Sequence, residues 1–415
     1  MTIPELFLAV SVIGALFTFN AYLPQRRTGP LIVPSFFAGW LTAEMPIQHF
    51  VWQVLATLVF IWAGALSEQP GQIGMAITVA SWAALLGIVP VARSSKQVLD
   101  AALVAGLGPD YQEKIPKAEW EALDTHEGPH STPLHPFRFR HPSVSVTRDI
   151  AYVPGGGKRN KLDVYAPKDA VTDAPVLLQI HGGGWVIGNK HEQALPLMIH
   201  MASRGWICVA TNYQLSPAAT FPEHLIDLKR AIKWIRENIA EYGGNPDFIC
   251  ATGGSAGGHL SSLVGLTAND PEYQPGFEDV DTSVKAVVPF YGVYDFSNHY
   301  GLHAQKSMMG FVEKLVVKKS RKENLQDFRR ASPMHRVHRD APPFFVIHGS
   351  QDSLAPVEEA RHFAALLRGV SDEPVVYAEI PGAQHAFEIF HSIRTSCTVR
   401  AVDRFLTWVR VRGSV

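Results

Sequence analysis

Ser255 lies in the pentapeptide Gly253-Gly254-Ser255-Ala256-Gly257, between the apolar, β-rich run 248–252 and a helix-like stretch that starts at Gly258. A G-x-S-x-G turn between a strand and a helix is the setting in which a serine hydroxyl becomes an exposed nucleophile. The turn is sharp, and glycines are needed where a Cβ would strike neighbouring backbone. The serine then sits at a helix N-terminus, where free N–H groups and the helix dipole favour developing negative charge. A second cluster, His181-Gly182-Gly183-Gly184-Trp185, follows the apolar run 176–180. Consecutive glycines let several N–H groups converge on one point. Such donors stabilise a tetrahedral oxyanion by about 3–4 kcal/mol each. Alone, either cluster could be a flexible turn or a phosphate loop. Together, 74 residues apart, they are two parts of one acyl-transfer machine.

A serine nucleophile needs a base, and the base needs an acid to fix its tautomer. In machines of this kind the chain order is serine, acid, histidine. The run 344–348 is followed by Gly349-Ser350-Gln351-Asp352, and the run 375–380 by Pro381-Gly382-Ala383-Gln384-His385-Ala386-Phe387. Asp352 and His385 are therefore the expected acid and base. Among the 18 histidines, His391 is the rival base; His181 is expected to order the glycine turn and His348 to be structural. Asp295 is the runner-up acid.

These turns need a frame. Runs 144–153 and 161–165 flank Pro154-Gly155-Gly156-Gly157, which predicts a β-hairpin. Runs 176–180, 206–211, 248–252, 284–290, 344–348 and 375–380 are continuously apolar, as in strands covered on both faces. The clearest helix starts at Pro222, with Leu225, Leu228, Ile232, Ile235 and Ile239 spaced by three and four, and stops at Gly243-Gly244. The expected class is α/β: a mostly parallel sheet with helices on both faces and its active site at the strands' C-terminal ends.

Residues from about 145 to 410 resemble the hormone-sensitive-lipase-like carboxylesterases of the α/β-hydrolase superfamily. The resemblance rests on His181-Gly182-Gly183-Gly184, on the Gly253–Gly257 turn, and on Asn212-Tyr213-Gln214-Leu215-Ser216-Pro217 leading to Phe221-Pro222. It implies an α/β-hydrolase fold, an oxyanion hole from the N–H groups of Gly183, Gly184 and Ala256, and ester hydrolysis without a metal or other cofactor. One position departs from the family: Gly254 stands where an aspartate is usual. Trp185 with Gly188-Asn189-Lys190 is also similar to a related bacterial esterase and formamidase group.

The N-terminus has another character. Residues 1–92 hold five charged side chains: Glu5, Arg26, Arg27, Glu44 and Glu68. About 20 apolar residues span a bilayer core as a helix. Segments 3–23, 47–66 and 73–92 meet that requirement, whereas 31–43 is too short and reads as interfacial or re-entrant. Arg26-Arg27 and Arg93 with Lys96 are expected on the cytoplasmic side. Three spans satisfy both, placing the catalytic domain, 145–415, in the cytoplasm. Residues 93–144 read as a proline-punctuated linker with a short helix near 118–123. Its histidines, His126, His130, His135 and His141, lack any recognised metal-ligand spacing.

Segment 295–341 carries ten Lys or Arg against five Asp or Glu, and reads as a solvated insertion or as a lid over the site. Overall charge is balanced, 37 basic against 38 acidic residues, which gives no electrostatic case for nucleic acid. The expected partners are a small-molecule or lipid ester and membrane lipids. An amidase, a formamidase or an acyltransferase would use the same triad through an acyl-enzyme, and an inactive membrane scaffold is a third possibility.

Overall fold

The computed structural model describes residues 1–25, 31–125, 135–302 and 306–412. Arg26-Arg27, His126 and His130 lie outside the described residues. The chain opens with four helices: α1 (Ile3–Tyr22), α2 (Ile32–Glu44), α3 (Pro46–Trp62) and α4 (Gln69–Leu107). A capping box starts α1, with the Glu5 N–H donating to Thr2 Oγ1 and the Thr2 N–H to Glu5 Oε2.

Helices α1 and α4 run in the same direction. Contacts rise in step from Gly74 at Leu8, through Thr78 to Ser11 (2.9 Å) and Thr18 to Ser81 (2.7 Å), to Tyr22 Oη donating to the Ala84 carbonyl (2.7 Å). A Cβ on Gly74 would lie only 3.1 Å from Leu8 Cα, so glycine permits the close approach. Helix α3 runs the opposite way, with Phe60 beside Phe7 and Gln53 beside Gly14. Helix α2 meets α3 at 93° and does not continue it. By length and apolar composition α1 and α4 can each cross a membrane, and the bent pair α2–α3 can supply one crossing more.

Helix α4 overruns its expected end at residue 92. It continues through Pro90 to Leu107 and stops at Gly108, whose φ of +95° suits glycine. Residues 93–107 are therefore helix, with Leu99, Leu103 and Leu107 buried among Val376, Ala378, Phe405 and Leu406. Arg93 and Lys96 mark the end of the apolar stretch in sequence, but charged side chains do not end the helix. Helix α5 (Lys117–Thr125) follows.

The rest is an eight-stranded sheet: β1 (Val144–Ala151), β2 (Lys161–Pro167), β3 (Ala174–Ile180), β4 (Ile207–Thr211), β5 (Gly244–Gly254), β6 (Ala286–Phe290), β7 (Phe344–Gly349) and β8 (Val375–Ile380). Its order is β1-β2-β4-β3-β5-β6-β7-β8. β1 and β2 form the antiparallel hairpin, β2 pairs antiparallel with β4, and every later pair is parallel. The connecting helices are α6 (Leu195–Ser203), α7 (Glu223–Asn238), α8 (Ala256–Leu266), α9 (Lys306–Phe311), α10 (Leu325–Arg330), α11 (Val357–Val370) and α12 (Ile393–Arg412). Helices α7, α8 and α11 bury their apolar sides on one face of the sheet, and α6, α12 and the end of α4 cover the other. This is the α/β-hydrolase fold.

Within segment 295–341 the described residues include α9, a wider helical turn (Val312–Val317) and α10. It is tied to the body through the Phe221 N–H, which donates to the Val316 carbonyl (2.9 Å), and through buried Phe328.

Candidate active site

The turn from β5 to α8 holds Ser255 at φ 58°, ψ −119°, outside the regions that L-residues prefer. Three glycines make that turn possible. A Cβ on Gly253 would lie 2.5 Å from the Gly257 carbonyl oxygen, one on Gly257 2.1 Å from that of Ile180, and one on Gly258 2.6 Å from that of Phe290. The Ser255 N–H donates to the Phe290 carbonyl (3.0 Å), tying the turn to β6.

The glycine run after β3 passes beside it: a Cβ on Gly182 would come within 3.1 Å of Ser255 Cβ. Gly183 (φ +111°) and Gly184 (φ +58°) both adopt left-handed backbone. The N–H groups of Gly183, Gly184 and Ala256 find no acceptor among the described residues. His181 anchors the run. Its ring stacks on Tyr213 at 4.4 Å, and its Nδ1–H donates to the Gly182 carbonyl (2.7 Å). Burial lowers its pKa to about 4, so it stays neutral and structural.

Asp352 leaves β7 and His385 leaves β8, and their side chains meet. His385 Nδ1 lies 2.7 Å from Asp352 Oδ2. The other carboxylate oxygen accepts from the N–H groups of Leu354 and Ala355, each at 2.8 Å. Burial pushes this carboxyl up. The charge of His385 and hydrogen bonds from His348 and His385 outweigh it and hold Asp352 well below the usual carboxylate range. With Nδ1 committed to Asp352, Nε2 is the nitrogen left to accept a proton. Tyr291 links the two turns: its ring lies 4.5 Å from that of His385, and its hydroxyl is 2.6 Å from the Cβ position of Gly254, the residue before Ser255. The aspartate usual at position 254 has no room here.

The rivals are occupied elsewhere. Asp295 accepts from Ser297 Oγ (2.5 Å) and the Tyr300 N–H (3.2 Å). His391 donates to the Arg138 carbonyl (3.2 Å).

The N-terminal helices press directly on the loop that carries His385. Trp40 Nε1–H donates to the Ala386 carbonyl (2.8 Å), and Ala386 is held at φ +61°. Phe36 sets its ring edge-on to His385 at 6.1 Å. Glu44 and Arg394 form a fully buried ion pair (3.0 Å). Arg394 also donates to the Ala43 and Pro381 carbonyls, each at 2.8 Å. Gln351 in the Asp352 loop donates to the Tyr22 carbonyl (3.2 Å). A Cβ on Gly382 would touch Val91 at 3.3 Å, so this loop sits level with the end of α4's apolar stretch.

Comparison with known proteins agrees with this architecture. The BD-FAE family pattern matches residues 162–367. The probable carboxylic ester hydrolase LipM of Mycobacterium tuberculosis (strain ATCC 25618 / H37Rv) is 45% identical over 97% of this chain and 93% of its own. The chain belongs to this family of carboxylic ester hydrolases. Esterase LipQ of the same strain is 43% identical over 89% of the esterase described here and 83% of its own length. Among solved structures, a butyrate-bound thermophilic esterase, Est2 of Thermogutta terrifontis, superposes with a TM-score of 0.53. It has 26% identity and covers 64% of this chain and 94% of its own. The LipM match reaches into the helical region, so the likeness is not confined to the sheet.

Sequence reading named His348 only as structural and passed over several other residues of the esterase's site. His348 contacts Asp352 Oδ2 (3.2 Å) through Nε2, which also donates to the Ala355 carbonyl (3.1 Å). Gln384 Oε1 accepts from the N–H groups of Ser353 (2.7 Å) and His385 (2.9 Å), joining the two loops. Tyr291 donates to Glu388, which burial pushes up to about 7. Gln384 and Glu388 flank His385 in sequence, the one signal that could have flagged them. Tyr291, Phe36 and Trp40 carry none.

Proposed function

We propose that this esterase is a multi-pass membrane protein that cleaves a carboxylic ester through an acyl-enzyme on Ser255. The hydrogen bond between His385 Nδ1 and Asp352 carries the reading, because it leaves the other imidazole nitrogen to serve a serine held on a strained, glycine-lined turn. His385 takes the Ser255 proton as Oγ attacks the ester carbonyl. The N–H groups of Gly183, Gly184 and Ala256 hold the oxyanion. The imidazolium, stabilised by Asp352, returns the proton to the leaving alkoxide, and the alcohol departs. Water, deprotonated by His385, then attacks the acyl-enzyme and releases the acid.

The helical region supports membrane insertion. Helices α1, α3 and α4 lie side by side, and large apolar residues such as Trp52 and Trp62 face outward, 71% and 89% exposed. Three crossings follow, with α2 lying at the interface. Arg93 and Lys96 at the end of the third favour a cytoplasmic catalytic domain. The His385 loop packs against α2 at that level, which favours an ester reached from the bilayer surface, a lipid ester above all.

The test is labelling of the full-length protein with a fluorophosphonate, together with hydrolysis of p-nitrophenyl esters of increasing chain length. Wild type should react and hydrolyse, with a preference for longer acyl chains presented in vesicles. Ser255→Ala should lose both activities, by about 10⁶-fold in kcat. Retained hydrolysis in Ser255→Ala would remove the acyl-enzyme on Ser255.

A further inference from the structure

We propose that a cation-lined cavity between the helical region and the hydrolase domain binds the phosphate headgroup of an anionic bilayer lipid. The cavity is separate from the Ser255 turn and has a volume of about 280 Å³. It opens where the start of α3, the middle of α4 and α12 come together. Lys96, Asp100, Arg400 and Arg404 line it, beside Gln48 and Ser396.

Among the described residues, Lys96, Arg400 and Arg404 line it together with the carboxylates Glu44 and Asp100. Lys96 and Arg404 both pair with Asp100, at 2.8 Å on opposite carboxylate oxygens. The other carboxylate in the wall, Glu44, is already held by Arg394 and by Ser392 Oγ (2.8 Å). Arg400 has no carboxylate within 4.0 Å among the described residues. Among the described residues Arg400 is the cation of this wall without a carboxylate partner, and its half-buried guanidinium has its donors open to a ligand. A planar fork of N–H donors matches phosphate oxygens.

Depth selects the source of that phosphate. Lys96 lies four residues beyond Ala92, where the apolar stretch of α4 ends, or about 6 Å along the helix. The headgroup layer is roughly 5–7 Å thick on each side of the hydrocarbon core. Ile47, Leu99 and Ile393 give the same cavity apolar wall, as a lipid needs and a free anion does not. Basic pockets of this kind between membrane helices hold lipid headgroups by the same electrostatics. His391 and Ser392, which end the loop bearing His385, also line it.

This inference rests on the membrane reading above, so its test must separate the two. Full-length protein is first floated with neutral phosphatidylcholine vesicles. Failure of wild type to float sinks the insertion reading and the headgroup site with it. Lipid retention is then measured by native mass spectrometry with phosphatidylglycerol and phosphatidylcholine. Wild type should retain phosphatidylglycerol in preference. Arg400→Gln should lose about tenfold in affinity for it, the scale of one charged hydrogen-bonding group. Arg400→Lys should keep most of the binding, and Arg339→Gln, at an exposed site elsewhere, all of it. Flotation without preference for phosphatidylglycerol, or equal retention by Arg400→Gln, overturns the site alone. Displacement of the lipid by glycerol 1-phosphate at equal concentration would assign the cavity to a soluble phosphate ester and overturn the lipid source.

Discussion

Strand β3 buries all of Ala174–Ile180 beneath helices on both faces of the sheet, whereas α1, α3 and α4 turn Phe19, Trp52 and Trp62 outward and bring Ser11, Thr18, Thr78 and Ser81 together inside. One region hides its apolar groups and shows its polar ones, and the other does the reverse. Water drives apolar burial in the first, and the second has the arrangement that hydrocarbon would reward, with internal hydrogen bonds and close backbone packing. The loop bearing His385 lies where the two meet. It is held from below by strand β8 and from above by Phe36, Trp40 and Glu44. On the proposed mechanism the chemistry therefore belongs to the sheet, and its alignment is shared with the helices.

That division can be broken experimentally. The largest effect is expected on the sheet side. Asp352→Asn should lower kcat by about 10⁴-fold through the wrong histidine tautomer, and Asp295→Asn should leave kcat near wild type. The reverse result in steady-state kinetics would move the acid to Asp295. Next comes the seam. Glu44→Ala strands buried Arg394 without its partner and should cost about 3–5 kcal/mol in stability, read by thermal or denaturant unfolding in detergent. An unchanged midpoint would show that the two regions are not joined there. Trp40→Phe keeps the ring but removes the bond to Ala386. It should lower kcat by roughly tenfold, the scale of one hydrogen bond, with little change in KM or stability. A rise in KM alone would make Trp40 a substrate contact instead.

The smallest effect concerns pH. Glu388 has its pKa raised from 4.5 to about 7 by burial. Between those values the folded chain holds a proton that the unfolded chain releases, so this group makes stability fall as pH rises through the window. Glu388→Gln should flatten that slope in a pH series of unfolding midpoints. A slope equal to wild type would show that Glu388 does not titrate there.

The sheet was legible because its strands are short apolar runs and its turns need glycine for steric reasons seen in the structure, as at Gly253 and Gly257. The Asp352–His385 pairing could be anticipated from chain order, since each residue simply follows its strand. Other features left no local trace. Residues 93–107 look polar in sequence because one side of α4 meets water, yet Leu99, Leu103 and Leu107 repeat at helical spacing and enter the core. Trp40 and Ala386 are 346 residues apart, and nothing in either neighbourhood announces the other. Gly254 could be seen to depart from the family but not why; the reason, the Tyr291 hydroxyl, comes from the residue that follows β6.

Gly382, in the His385 loop, lies beside Val91 near the end of the apolar stretch of α4, and α4 runs unbroken from there onto the sheet; on the proposed membrane insertion, this sets the height of the reacting groups relative to the lipid surface. An enzyme mounted in this way searches an area rather than a volume. Its turnover should follow the mole fraction of ester in the membrane, and diluting that ester with inert lipid should slow it even when the total amount per millilitre stays constant.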